Sequence, residues 1–275
     1  MKIYPPTTRH PMRLATATAV ALLLPSLASA QAPAPQPPAA QAQAADTASS
    51  QPFSDTQRHA IESIIKDYLV QHPDVLQDAM DALDKRQKQA DADKAHEMIV
   101  AHNASLFNSP HQVVLGNPQG KVTMVEFFDY NCGFCKRALP DMVELLKTDP
   151  DLKFVLKEFP VLGPGSVEAA HVAVAVRMQD GTGKKYLEFH QKLLGGRGPA
   201  DKAHALAAAK DVGFDTARIE KDMDSDEVKN TIDEDMKLAD ALGVNGTPSY
   251  VVGDELVIGA VGLDELKAKI KAGRK

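Results

Sequence analysis

The sequence predicts an α/β fold with a mixed sheet, and three observations lead to this prediction. Two runs rich in strand-forming residues, at 122–128 and 152–159, are separated by a helical pattern. The long block 166–242 follows, with helical spacing and no strand pattern. A hairpin pattern centred on Gly253 and a helix at 263–271 then close the chain. Strands that alternate with helices are typical of this fold class.

The composition fits a globular protein and excludes several classes of function. The 275 residues include 31 Lys plus Arg and 37 Asp plus Glu, a formal net charge of −6, and 44% are hydrophobic. This acidic balance argues against nucleic-acid binding, which needs a basic surface. Two cysteines are too few for a multi-disulfide scaffold or a four-cysteine zinc site. The main interpretation developed below requires no bound metal and no cofactor.

The first thirty residues have the pattern of a secretory signal peptide. Three basic residues precede an apolar run at 14–24 and an Ala-Ser-Ala cleavage motif at 28–30. The run is too short to span a bilayer, so we expect residues 1–30 to be removed and the mature chain to have no membrane span. The expected location is the bacterial periplasm, an oxidising compartment where a cysteine pair can form a disulfide.

Residues 31–52 contain mainly Ala, Pro and Gln, and they are predicted to be a disordered tether. Residues 53–108 are predicted to be a helical extension with two apolar stripes, the second starting after Pro73. Residues 84–97 have almost nothing to bury, which is typical of a solvated helical connector.

Two short helices cannot close a core by themselves. The stripes of residues 53–83 therefore either cap the main domain or pack against copies of themselves. We favour self-association, because the charged connector separates these stripes from the domain that begins near residue 109.

A Cys-Gly-Phe-Cys motif follows the first predicted strand and opens a helix at Gly133. The two-residue gap brings both sulfurs within one helical turn, and the N-terminus of a helix stabilises a thiolate. We expect Cys132 to be the exposed nucleophile and Cys135 to be the more buried resolving thiol, which together exchange disulfides.

Other uses of the two cysteines are weaker interpretations. A c-type haem site needs His after the second cysteine, where this chain has Lys136. A zinc site needs further ligands that the sequence does not offer, and a structural disulfide closing so small a loop would contribute little stability. A soft-metal site that binds Cu(I) through both thiolates stays open.

Glu126 is the candidate proton carrier near the motif. It precedes Cys132 by six residues on the predicted strand, where it either lies under the motif and relays protons to Cys135 or is exposed at the strand end. Lys157 and Glu158, on the next strand, are candidate partners for its carboxylate, or simply edge charges. Further along, Pro248 precedes the hairpin, either in a loop fixed by a cis bond or in an ordinary turn.

The segments EFFDYNCGFCK (126–136) and GVNGTPSYVV (243–252), with the helical block between them, resemble the DsbA-like branch of the thioredoxin superfamily. The resemblance covers about residues 112–275. It implies a thioredoxin fold with a helical insertion at about 166–242, in a domain spanning 109–275.

The same resemblance assigns roles to individual residues. It implies that Cys132 and Cys135 are the redox pair and that Glu126 is the buried acid before the nucleophile. It also implies that Pro248 is a cis-proline facing the pair, and that the backbone of Thr247 holds a substrate strand. Residues 133 and 134, the Gly and Phe of the motif, complete the expected substrate-binding surface.

One difference from the family is informative. Its strong oxidase has Pro-His between the cysteines, whereas this chain has Gly133 and Phe134. Without that imidazole the reduced form is less stabilised, so we expect a less oxidising pair.

The extension resembles a second group. IIKDYLVQHPDVLQDAMDAL (64–83) is similar to the N-terminal region of the ScsC-type proteins, which are linked to copper tolerance. That group includes trimeric disulfide isomerases whose N-terminal helices join the protomers, so the resemblance implies a trimer.

Together these features predict a periplasmic thiol-disulfide oxidoreductase, an oligomeric isomerase or reductase of exported proteins that contain cysteines. An isomerase must be kept reduced, which implies a membrane thiol reductase of the DsbD or ScsB type as a partner. The alternatives are a monomeric DsbA-like dithiol oxidase and, from another class, a copper-binding chaperone that uses the same thiolates.

Overall fold

The computed structural model describes residues 53–274, so the predicted signal peptide and tether lie outside the described residues. The strands are β1 (Val113–Gly116), β2 (Val122–Phe128), β3 (Leu152–Glu158), β4 (Ser249–Val252) and β5 (Glu255–Ile258). The helices are α1 (Asp55–Gln71), α2 (Pro73–Ala101), α3 (Asn103–Phe107), α4 (Gly133–Thr148), α5 (Pro164–Arg177), α6 (Lys184–Leu194), α7 (Lys202–Val212), α8 (Thr216–Asp222), α9 (Asp226–Ala241) and α10 (Leu263–Gly273).

The strands form one mixed sheet in the order β1-β3-β2-β4-β5. β2 and β3 are parallel, and the other neighbours are antiparallel. The arrangement confirms the prediction of a thioredoxin fold with a helical insertion, which comprises α5 to α9 between β3 and β4. Strand β1 was not predicted, because a four-residue edge strand directly after a helical pattern gives little periodicity to detect.

Both faces of the sheet are covered, which explains why the central strand β2 is an almost continuous apolar run. Met124 and Phe128 of β2 belong to a core with residues of α4 to α9 and of α10. Val125 and Phe127 of β2 point to the other face, where they share a second core with Ile99 and with residues of α3 and α9. The C-terminal part of α2 therefore belongs to the core of the thioredoxin domain.

The predicted charged connector is part of α2, a single helix of 29 residues. At 1.5 Å per residue it is about 44 Å long. Three glutamines donate to aspartates one turn later, pairing residues 77 with 81, 87 with 91 and 89 with 93 at 2.8–2.9 Å. Such pairs stabilise a helix that has few residues to bury.

The helical insertion begins and ends close to the predicted bounds. Asp215 and Ser225 cap the N-termini of α8 and α9, accepting from the amides of Arg218 and Val228, as the sequence predicted. No helix within residues 53–274 is both long enough and apolar enough to cross a membrane.

Candidate active site

Cys132 is the N-cap residue of α4, and Cys135 lies in its first turn. The Cys135 side chain is fully buried, and Cys132 is only 6% exposed. The order of burial agrees with the sequence analysis, but the expectation of an exposed Cys132 is wrong in this thiol form. The Thr247 carbonyl explains the difference, because it accepts a hydrogen bond from Cys132 Sγ at 3.1 Å.

The loop that contacts Cys132 is held firmly at the start of β4. The Thr247–Pro248 peptide bond is cis. Ser249 Oγ donates to the Gly246 carbonyl at 2.7 Å, and the Gly259 amide donates to the Pro248 carbonyl at 2.9 Å. Because Ser249 also pairs with Phe127 of β2 in the sheet, the Thr247 carbonyl has a fixed position over the sulfur.

The outer surface of the motif is apolar and accessible. Phe134 is 57% exposed, and the guanidinium carbon of Arg137 lies 4.2 Å from its ring centroid. Gly133 beside it is exposed as well. Val161 and Leu162, in the loop after β3, add further exposed apolar area.

Hydrogen bonds tie the segment before Cys132 to the helical insertion. Asp129 is buried, and its carboxylate accepts from Ser166 Oγ at 2.7 Å and from the Leu162 amide at 3.0 Å. Asn131 exchanges two bonds with the backbone of Ala200, at 2.7 and 2.8 Å. The insertion therefore fixes the backbone that carries Cys132, the candidate nucleophile.

Glu126 lies under the motif on β2 and is only 4% exposed. Burial raises the pKa of its carboxyl to about 8, although a hydrogen bond from Tyr250 opposes the shift. Burial also raises the pKa of Cys135 well above its usual range, and the negative charge of Glu126 raises it further. A buried thiol and a buried acid that each resist ionisation are suited to passing one proton between them.

The suggested pairing of Glu126 with Lys157 or Glu158 is wrong. Leu156 is the residue of β3 opposite Glu126, so Lys157 points to the other face of the sheet. There its ammonium nitrogen lies 3.0 Å from Asp235 Oδ1 of α9.

Glu158 belongs to a separate buried polar cluster. Its carboxylate accepts from the Tyr186 hydroxyl at 3.4 Å, and the Tyr130 hydroxyl lies 3.2 Å from both Tyr186 Oη and His190 Nδ1. Burial lowers the pKa of His190 to about 3, so this imidazole is neutral at physiological pH.

Comparison with known proteins now identifies the fold family. Residues 123–271 match the family model of the DSBA-like thioredoxin domain. The chain belongs to this family. Residues 57–90 also match the N-terminal domain of the copper resistance protein ScsC. These two matches confirm both family resemblances of the sequence, and they support a thiol-disulfide oxidoreductase.

Several solved structures resemble this chain, and the match covers nearly the whole length of each solved protein. A thioredoxin-like oxidoreductase from Silicibacter pomeroyi is 46% identical, with a TM-score of 0.59 over 62% of this chain and 96% of that one. ScsC of Proteus mirabilis, in a transitional conformation, is 28% identical, with a TM-score of 0.59 over 81% of this chain and 99% of its own.

Among curated proteins, disulfide bond formation protein D of Bacillus subtilis is 26% identical over 170 residues, which are 58% of this chain and 76% of that protein. The chain also matches sodium/proton antiporters such as NhaA 1 of Salinispora arenicola, but it spans only 24% of that protein's length.

A second candidate surface lies on α1 and the first part of α2. Its apolar side chains are exposed in the single chain, by 67% for Ile64 and 65% for Leu83. The other exposed members of this apolar stripe are Ile61, Ile65, Tyr68, Leu76 and Met80. Exposed apolar side chains that recur along a helix are typical of an interaction surface.

Sequence patterns predict the residues that meet at the motif, but not the residues that hold them in place. Tyr250, Asp129 and Asn131 all lie inside the segments that carried the family resemblance, yet nothing local distinguishes them from core or turn residues. Only strand register and long-range hydrogen bonds reveal their contacts.

Proposed function

We propose that this chain is a periplasmic disulfide isomerase and reductase that acts as an oligomer on exported proteins containing cysteines. The observation that carries the chemistry is the position of Cys132, at the N-terminus of α4 and in contact with the Thr247 carbonyl. The periplasmic location is supported by the signal pattern of residues 1–30 and by the family.

The reaction follows from the two sulfurs. The Cys132 thiolate attacks a substrate disulfide, forms a mixed disulfide and releases one substrate thiolate. The Cys135 thiol then attacks Cys132 Sγ, releases the second substrate thiolate and gives its proton to Glu126. In isomerisation, a substrate thiol instead attacks the mixed disulfide and leaves with a new pairing, so the protein returns to its dithiol form.

The contacts of Thr247 support its role in holding substrate. Its carbonyl accepts a hydrogen bond from the Cys132 thiol. This hydrogen bond is lost when Cys132 forms a mixed disulfide, because the sulfur then has no proton to donate. The carbonyl is then free to accept from a backbone amide of an extended substrate segment. Gly133 and Phe134 provide accessible surface for side chains next to the attacked cysteine.

Two observations favour isomerase or reductase over dithiol oxidase. The motif contains Gly and Phe in place of Pro-His, and His190 is neutral and belongs to a different buried cluster. A strong oxidant requires a strongly stabilised reduced form, and no imidazolium from these positions supplies it. We therefore propose a membrane thiol reductase as the partner that keeps the pair reduced.

The apolar stripe of α1 and α2 supports self-association. We take its occupant to be further copies of this chain, because these residues match the ScsC N-terminal domain and the resemblance implies a trimer. Several active sites in one particle would hold a misfolded substrate while wrong disulfides are opened.

Refolding of scrambled ribonuclease tests the proposal. The mature chain should restore ribonuclease activity in a glutathione buffer, and Cys132→Ser should abolish this activity. Trapping of thiols in the native host should find the pair mainly reduced. A mainly oxidised pair together with failure to rescue scrambled ribonuclease would favour the oxidase. Tight anaerobic Cu(I) binding, without either disulfide isomerisation or dithiol oxidation, would favour the copper chaperone.

A further inference from the structure

Tyr250 of β4 lies directly opposite Glu126 of β2 in the antiparallel pair. Both side chains are buried, at 2% and 4% exposure, and they point to the face of the sheet that carries Cys135. Because directly opposed residues of an antiparallel pair have neighbouring side chains, the Tyr250 hydroxyl lies beside the Glu126 carboxyl, whose pKa it lowers as a donor. The contact is therefore fixed by strand register and does not depend on a mobile surface side chain.

The hydroxyl stays a donor throughout the reaction. Burial, together with the nearby Glu126 and Cys135, raises the pKa of Tyr250 far above its usual range, so its own proton does not leave. A fixed donor stabilises the charged carboxylate and orients its oxygens. Glu126 needs this help, because burial alone favours its neutral form, which cannot accept a proton.

We propose that Tyr250 is a positioning residue for the resolving step, whose hydroxyl raises the ionised fraction of Glu126 and orients its carboxylate to receive the proton of the Cys135 thiol. The proposal rests on the disulfide exchange described above. In this step the S–S bond of the mixed disulfide breaks and the Cys132–Cys135 bond forms. The substrate sulfur leaves as a thiolate, and the Cys135 proton passes to Glu126.

Tyr250→Phe removes the hydroxyl and keeps the buried ring. The first measurement is a ¹³C NMR titration of the Glu126 carboxyl in the reduced protein. Loss of a hydrogen bond to the charged form should move this titration upward by about one pH unit. Tyr186→Phe is the matched control, because it removes another buried hydroxyl that contacts Glu158 and Tyr130 instead. It should leave the Glu126 titration in place.

The second measurement is the rate of disulfide closure in stopped flow, at saturating oxidised glutathione. A one-unit shift lowers the ionised fraction of Glu126 at pH 7 by about tenfold, so closure in Tyr250→Phe should slow by about tenfold. In a Glu126→Gln background the same change should add no further slowing.

The outcomes separate the two proposals. An unchanged Glu126 titration in Tyr250→Phe, or equal slowing with and without Glu126, would overturn the role of Tyr250. Both results would leave disulfide exchange by the wild-type chain intact. Failure of the wild-type chain to exchange with oxidised glutathione would instead refute the proposed function. The titration of Glu126 would still test the effect of Tyr250 in that case, because it needs no substrate.

Discussion

Cys132 and Cys135 differ in their contacts because they occupy different positions on α4. Cys132 precedes the first helical turn and contacts the Thr247 carbonyl, whereas Cys135 faces inward toward Glu126. A substrate can reach the first sulfur once this contact opens, but the second is enclosed. This asymmetry supports the proposed roles, attack by Cys132 and resolution by Cys135.

The order of roles predicts the behaviour of single-cysteine variants. Cys135→Ala should accumulate mixed disulfides with protein substrates, because attack by Cys132 continues and intramolecular release is lost. Cys132→Ala should accumulate few, since the remaining sulfur is fully buried. Non-reducing electrophoresis followed by mass spectrometry measures the adducts. Adducts of equal yield from both variants would contradict the assignment.

The burial of Glu126 also predicts a pH dependence of stability. Its pKa is raised from 4.5 to about 8 on folding, so the native state holds this proton more tightly than the unfolded state. The contribution of Glu126 to stability therefore declines as pH rises from about 4.5 to 8. Glu126→Gln cannot ionise, so its stability should not decline in this way. Its free energy of unfolding, relative to that of the wild type, should be about 3 kcal/mol higher at pH 7 than at pH 4.

Urea denaturation of both reduced proteins at the two pH values measures this difference. The wild type and the variant should unfold with the same dependence on urea, so that only the midpoint changes. An equal stability difference at pH 4 and pH 7 would show that Glu126 does not titrate as described.

At the scale of elements, the two ends of helix α2 differ in their packing. Its first part carries exposed apolar residues such as Met80 and Leu83, whereas its last part buries Ala95 and Ile99 in the domain. Contacts between α2 and the edge strand β5 add to this attachment, and His96 Nδ1 lies 3.5 Å from Asp254 Oδ2 in the turn before β5. The helix thus carries the proposed association surface directly out of the core of the catalytic domain.

Substitutions near the end of α2 test this attachment. Ile99 is 2% exposed, so Ile99→Ala should lower the free energy of unfolding by about 3 kcal/mol through lost burial and a cavity. Val100, its neighbour, is 62% exposed, and Val100→Ala should change stability by less than about 0.5 kcal/mol. Chemical denaturation measures both, and similar values would contradict the packing of α2 on the domain.

At the scale of the whole molecule, disulfide exchange and isomerisation make different demands. Exchange needs only the residues around Cys132, which one copy of the domain supplies. Isomerisation of a misfolded protein also needs the substrate to stay bound while its disulfides rearrange. The proposed oligomer provides this second property through α1 and α2.

A variant that cannot self-associate should therefore keep disulfide exchange and lose isomerisation. Ile64→Asp places a charge in the apolar stripe and should convert the proposed trimer to a monomer in light scattering. The monomer should keep insulin reductase activity and lose most of its rescue of scrambled ribonuclease. Ser63→Asp introduces the same charge on an exposed residue of α1 outside the stripe, and it should behave as wild type. A wild-type monomer, or full isomerase activity in Ile64→Asp, would refute this division.

The sequence by itself determined the chemical character of the protein. The spacing of the two cysteines, the strand before them and the proline loop after the helical block are local patterns, and each depends only on neighbouring residues. The same holds for the apolar stripe of α1 and α2, whose helical period is visible without a partner.

Tertiary structure decided which groups meet. Glu126 and Tyr250 are far apart in the chain, and only the register of β2 with β4 places one opposite the other. The alternation of β3 likewise sends Lys157 to the face away from Glu126, and the Thr247 carbonyl covers a sulfur that would otherwise face solvent. A shift of one residue in either strand would reverse these faces, because side chains alternate along a strand.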